Sequence, residues 1–154
     1  MRHDSDFVYI PERNALNILS KIISVCKEEL DGKYNEVQIL TPTKKGMLGT
    51  KELNKVLQNE LNPEDNEKNE KAYGQIIFRE GDKVMQVKNN YDLVWEKLGG
   101  MENGTGVFNG DLGVIQKIDD VDKRIKVRFD DEKIVWYEYS RVRRVRTFIC
   151  NNNT

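Results

Sequence analysis

This 154-residue chain is nearly without two of the usual sources of chemistry: it has one histidine, His3, and two cysteines, Cys26 and Cys150. A lone histidine near the start leaves no Ser/His/Asp triad and no histidine-built metal site to assemble. Two cysteines cannot form a disulfide scaffold or a four-cysteine zinc site, and the cytoplasm is the expected compartment. Long apolar runs are missing too. None approaches the roughly 18 residues of a membrane span, so no membrane partner is expected. The opening MRHDSDFVYIPERN is polar and charged, unlike a signal peptide. Charge of one sign is also lacking, since 25 Lys and Arg face 26 Asp and Glu. Any attraction to nucleic acid must therefore come from local patches rather than from the whole chain. Zincin and EF-hand patterns are absent. The nearest look-alike of a P-loop, Gly46-Met47-Leu48-Gly49-Thr50-Lys51, fails in spacing and order. No catalytic or metal-ligating residue is assigned. Asp119, Asp120, Asp122, Asp130 and Asp131 read as solvated turn residues, and Cys26, on an apolar stripe, as a small buried hydrophobe.

What is present falls into two halves. Phe7–Ile10 is a short β-type run stopped by Pro11. Residues 12–30 then carry helical periodicity, with Ala15, Leu19, Ile22 and Cys26 on one stripe, and Asp31-Gly32 ends them. Val37–Leu40 reads as a strand, 41–49 as a loop, and about 50–61 as a second helix carrying Leu53, Val56, Leu57 and Leu61. Asn62-Pro63 stops it. Strand, helix, strand, helix suggests a parallel α/β unit. Residues 64–75 are polar and without period and read as a linker. From 76 to 146 the pattern becomes short strands: 76–78, 84–88, 114–118, 124–129 and 134–139. Residues 89–106, with four of the chain's eleven glycines, read as a long loop, and Asn109-Gly110 as a hairpin turn. Five short strands suggest a small barrel. The expected fold is thus α/β plus all-β.

Three features could bind an anion. The loop after the second strand holds Thr41, Lys44, Lys45, Gly46 and Gly49 ahead of a helix N-terminus, which suits a phosphate; it is equally a solvated strand-to-helix connection. Gln86, Lys88, Asn89, Asn90 and Tyr91, with Asn109 and Asp111 further on, could hold a backbone phosphate and stack a base, or simply fill turns. Arg141, Arg143 and Arg144 belong to a run of four arginines in six residues. That run is either a basic β-like face or a solvated edge strand.

The runs VQILTPTKKGMLGTKELNKVLQNELNP (37–63), FREGDKVMQVKNNYD (78–92) and GVFNGDLGVI (106–115) resemble, in order, the RecD/TraA-type superfamily 1 DNA helicases (exodeoxyribonuclease V alpha-subunit-like). The resemblance implies that residues 1–63 are part of the second RecA-like motor domain, a partial βαβα unit. Residues 76–146 would be its inserted five-stranded Src-homology-3-like barrel, which closes over single-stranded DNA. It places Lys44, Lys45 and Gly46 near the nucleotide cleft or the DNA backbone, and gives ATP, Mg, single-stranded DNA and the rest of a 5′–3′ motor as cofactors and partners of the intact helicase. The chain itself, without Walker A, Walker B and motifs V and VI, is expected to be non-catalytic. An incomplete RecA-like half is expected to self-associate through its open edges. The tail 147–154 is expected to be out of frame, because Arg146–Thr154 admits codons that read E-L-L-Y-A-I-T-T one base later, which resembles the family's return strand. The competing reading is a stand-alone nucleic-acid-binding or adaptor module.

Overall fold

The computed structural model describes residues 7–30, 37–97, 99–147 and 150–151. Two helices form a small layer beside a curled, mostly antiparallel sheet. Helix α1 spans Ala15–Leu30 and α2 spans Thr50–Leu61. Asn14 starts α1, its side-chain oxygen accepting from the Asn17 N–H at 3.1 Å. Glu12 adds to the start by accepting from the backbone N–H groups of Arg13 and Asn14, which hold its carboxyl below the usual range. The expected stripes meet: Leu19, Ile22 and Ile23 of α1 pack around buried Cys26, Leu53 and Leu57. Burial pushes the Cys26 thiol pKa up.

Residues 7–10 form no strand. Their side chains are exposed, Phe7 and Tyr9 at 78%, and none of the described strands lies alongside them. Outside the described ladders the run stays irregular, whatever its propensity. The next expected strand is present but short. Strand β1, Ile39–Leu40, pairs in parallel with β11, Cys150–Asn151, so part of the tail returns to the helical layer.

Between these two strands lies the sheet. Strands β2 (Glu70–Tyr73) and β3 (Ile76–Arg79) form a separate hairpin. A seven-stranded sheet then runs in the order β10-β4-β7-β8-β9-β5-β6. Its members are β4 (Lys83–Gln86), β5 (Asn90–Lys97), β6 (Asn103–Val107), β7 (Leu112–Asp119), β8 (Arg124–Phe129), β9 (Lys133–Glu138) and β10 (Val145–Thr147). The sheet has seven strands rather than the expected five: 76–78 lies in the separate β2–β3 hairpin, while the expected loop 89–106 adds β5 and β6 and the arginine run ends in β10. The expected loop 89–106 contains the β5–β6 hairpin. Gly104 sits in it so that the Trp95 ring can cross, since a Cβ there would come within 2.5 Å of the indole. The glycine serves close packing within a strand. The second half of the expected linker 64–75 is strand β2, whose Glu70 carboxylate meets Arg79 Nε at 2.6 Å across the hairpin.

The arginine run is not a strand over most of its length either. Tyr139–Arg144 is a 3₁₀ turn leading into β10. Val142 and Val145, three residues apart, are both buried, as the three-residue turn of that helix requires. The Asn109-Gly110 turn is present, but it links β6 to β7, which are not ladder neighbours. Gly110 N–H donates to the Gln86 carbonyl, and Gln86 N–H to the Asp111 carbonyl, both at 2.9 Å. These two bonds extend the β4–β7 ladder one step past the Met85–Leu112 pair. Phe78, Val84, Val107, Ile118, Val127 and Val135 fill the interior, all at 1% exposure or less. Each such side chain contributes about 1.5–3 kcal/mol on burial.

One buried polar network joins the helical layer to the barrel. Asp82, 1% exposed, accepts hydrogen bonds from Gln58 Nε2 (2.7 Å), Asn62 Nδ2 (2.8 Å) and the Arg79 N–H (2.8 Å). Arg79 also donates from its guanidinium to the Asn62 carbonyl at 2.7 Å. On the barrel side Lys83, largely buried, donates from its amine to the Val37 carbonyl at 3.2 Å, just before β1. Helix α2 thus meets the β3–β4 turn through directional bonds as well as packing.

Candidate nucleic-acid interface

The barrel end where β4, β5 and β6 converge is built around Gln86. Its side chain is fully buried, with both amide ends engaged. Nε2 donates to the Lys88 carbonyl at 2.6 Å, and Oε1 accepts from the Tyr137 hydroxyl at 2.7 Å. Burial drives the Tyr137 pKa far above its ordinary value, so the phenol remains a neutral donor. These bonds fix the 87–89 bend, and Lys88 and Asn89 stand out from it, exposed.

Asn89 holds the surface beyond. Its side-chain Oδ1 accepts from the Asn109 N–H at 2.8 Å, and its Nδ2 donates to the Tyr91 hydroxyl at 3.2 Å. Tyr91, 66% exposed, meets Phe108, 41% exposed, edge to face at 5.7 Å between ring centroids. Phe108 lies back over Gly106. A Cβ there would meet the ring at 2.9 Å, and the backbone has φ +102°, a region that favours glycine. Asp111 closes the turn by accepting from the Phe108 N–H at 2.8 Å. Two exposed rings are therefore held on a braced scaffold, with the Lys88 ammonium close in sequence. Such a surface can stack planar groups and attract an anionic backbone.

The structure brings Gln86, Lys88, Asn89, Asn90, Tyr91, Asn109 and Asp111 together at this end. Asn90 lies in β5, paired with Val107. Val145 pairs with Gln86, so the 3₁₀ turn carrying Arg141, Arg143 and Arg144 leads into the strand beside it. Arg141 and Arg143 are exposed, and Arg141 lies 3.8 Å from the Glu138 carboxylate. The Arg144 side chain falls outside the described part of the structure. Phe108 and Gly106 were not singled out from the sequence. The available signal was an aromatic flanked by glycine and an Asn-Gly turn.

The other expected site, the 41–49 loop, stands apart: among the described residues no hydrogen bond joins it to the barrel end. It is a compact, self-bonded turn. Thr41 is buried, its hydroxyl donating to the Leu48 carbonyl at 2.7 Å, and the Thr43 carbonyl accepts from the Thr50 N–H at 3.1 Å. Gly49 lies against the Lys45 backbone, where a Cβ would come within 2.6 Å. Lys44 and Lys45 point to solvent and Gly46 is exposed at the tip. Among the described residues no group of His, Cys, Asp or Glu could hold a metal ion, and no helix is long and apolar enough to cross a membrane.

The model of a family described as "ATP-dependent RecD-like DNA helicase SH3 domain" matches residues 53–129, half of the chain. Among solved structures the chain is similar to a double mutant of a Pif1 helicase from Bacteroides. The identity is 14%, over 93% of this chain and 40% of that one, with a TM-score of 0.48. It is also similar to a Pif1 chain from a study of two coordinating Pif1 helicases unwinding forked duplex DNA, at 16% identity over 92% of this chain and 37% of that one, TM-score 0.45. For an unliganded Pif1 from Bacteroides sp the values are 17%, 84%, 32% and 0.41. The chain thus spans about two fifths or less of the length of these solved helicases.

Proposed function

The chain belongs to the ATP-dependent RecD-like DNA helicase SH3-domain family, and from that premise we propose that its barrel supplies single-stranded DNA contacts to a RecD/TraA-type 5′–3′ helicase motor. The observation that carries this reading is the exposed Tyr91–Phe108 pair braced by Asn89 and Gly106. Bases stack on the two rings while Lys88 and Asn109 meet phosphate. Arg141 and Arg143 extend the basic surface. Gln86 positions Lys88 and does not itself reach the DNA.

Residues 1–63 are read as part of the second RecA-like motor domain. The parallel β1–β11 pair supports this, because a parallel pair needs a long crossover and here the crossover contains the whole barrel. Lys44 and Lys45 face the nucleotide cleft or the DNA backbone, and ATP and Mg are bound by the assembled motor, with no hydrolysis by this chain alone. The exposed run 7–10 supports self-association through the helical half. A monodisperse monomer in light scattering would count against that.

The test is binding of labelled oligo(dT) at two salt concentrations, with ATPase activity measured on the same sample. Base–aromatic stacking is worth about 1–3 kcal/mol per base. Tyr91→Ala is therefore expected to weaken binding by roughly tenfold, while Tyr91→Phe retains most of it. Lys88→Ala should reduce the slope of log affinity against log salt by about 0.7. Unchanged affinity in Tyr91→Ala and Phe108→Ala refutes the platform.

A further inference from the structure

We propose that Tyr91 and Phe108 determine base preference, so that the platform takes pyrimidine-rich, weakly stacked single strands over purine-rich ones; this rests on the reading of the platform as a DNA contact. The two ring centroids lie 5.7 Å apart, and the ring planes cross at 66°. A base that stacks on an aromatic side chain lies parallel to its ring. Two bases laid one on each ring are therefore held with their own planes 66° apart. Successive bases of a stacked strand instead lie parallel, about 3.4 Å apart along the axis. One pair of neighbouring bases cannot satisfy both arrangements. A strand that engages both rings must open one of its own base steps, and that unstacking costs free energy.

The cost falls on the DNA, because the rings are fastened separately. Tyr91 stands in β5, with its hydroxyl bonded to Asn89 Nδ2. Phe108 stands in the turn after β6, with its N–H bonded to the Asp111 carboxylate and its ring over Gly106, where a Cβ would come within 2.9 Å. Asn89 Oδ1 in turn ties that turn to the β5 side through the Asn109 N–H. No single rotation brings the two planes parallel. On one flat ring the larger purine would stack better. Crossed rings reverse that order, since adenine runs stack on themselves more strongly than thymine runs and resist opening. The preference follows from strand flexibility and needs no hydrogen bond to a base edge.

The test compares labelled oligo(dT) and oligo(dA) of equal length by fluorescence anisotropy at one salt concentration. Oligo(dT) is expected to bind about fivefold tighter. Phe108→Ala leaves a single ring, so affinity for oligo(dT) should fall while that for oligo(dA) changes little, and the two should converge. Tyr91→Ala, at a position 66% exposed and outside the core, should bring the same convergence. Phe108→Tyr keeps the ring plane and should keep the preference. Warming should narrow the gap for the unaltered chain, because the adenine stack melts. Equal affinities, or tighter binding of oligo(dA), overturn the proposal and leave the DNA contact standing. A preference that survives both alanine variants, or that warming leaves unchanged, overturns it as well, since it then arises from base edges or from another surface. Absence of binding by either strand refutes the DNA contact itself, and the preference with it.

Discussion

Replacing Asp82 by alanine removes the acceptor on which the helix–barrel junction converges. Three N–H donors lose their partner: one hydrogen of Gln58 Nε2, one of Asn62 Nδ2, and the Arg79 backbone N–H. Gln58 keeps its bond to the Ile77 carbonyl and Asn62 its bond to the Glu80 carbonyl, so each amide retains half its pairing. The Arg79 N–H retains none among its described bonds. A stranded buried donor costs about 1–3 kcal/mol. Against this stands the relief of no longer burying a carboxylate, which is several kcal/mol before its bonds are counted. The balance is a net loss of about 3 kcal/mol, or a Tm lower by roughly 6–12 °C for a chain of this length. Urea unfolding followed by tryptophan emission measures it. A loss under about 1 kcal/mol would show that the network does not hold the junction.

Acidity adds a second reading of the same residue. Burial pushes the Asp82 carboxyl above the ordinary aspartate range, although its hydrogen bonds and the Arg79 charge pull it down. The folded chain then binds the proton more readily than the unfolded one, whose aspartates titrate near 3.9. The contribution is fully present below that pH and is lost as pH rises through the folded pKa. Asp82→Asn should abolish this slope. Parallel stability curves for the two proteins from pH 4 to 7 would refute the assignment.

Two smaller perturbations test the helical layer. Gly49 has φ −79°, which any residue adopts, so Gly49→Ala acts through the 2.6 Å approach to the Lys45 backbone alone. It is expected to cost about 1–3 kcal/mol in urea unfolding, and unchanged stability would mean that the loop opens freely. Cys26 is 2% exposed, and burial raises its thiol pKa. In a Cys150→Ser background its reaction with a disulfide reagent should be slow until denaturant is added, and equal rates in both conditions would contradict the buried position.

The elements that could be read from sequence are those whose period is local. α2 and β8 were legible to within a residue, because an apolar stripe at 3.6 and an Ile125, Val127, Phe129 alternation each admit one solution. The β5–β6 hairpin was hidden by Gly104 and Gly106, whose reasons are the Trp95 and Phe108 rings. The turn at 139–144 was hidden by its arginines, although the valines at a spacing of three carried the 3₁₀ period. Of the candidate site, Tyr91, Asn89 and Lys88 were visible as residue types, while their bracing through Gln86 and Tyr137 depends on contacts 51 residues apart. The Asp82 junction left one trace, the pair Gln58 and Asn62 one turn apart beside the apolar Leu57 and Leu61.

The parallel pairing of Ile39–Leu40 with Cys150–Asn151 has a consequence for the order of folding. The partners lie about 110 residues apart, and closing so long a loop from an open chain is slow and entropically costly. The barrel between them shortens that path, since its first and last strands, β4 and β10, are ladder neighbours. Once the barrel has formed, the two ends of the chain emerge side by side. The β1–β11 pair is therefore expected to form after the barrel, and φ-values near 0 at Ile39 beside higher values at Val84 and Val127 would bear that order out.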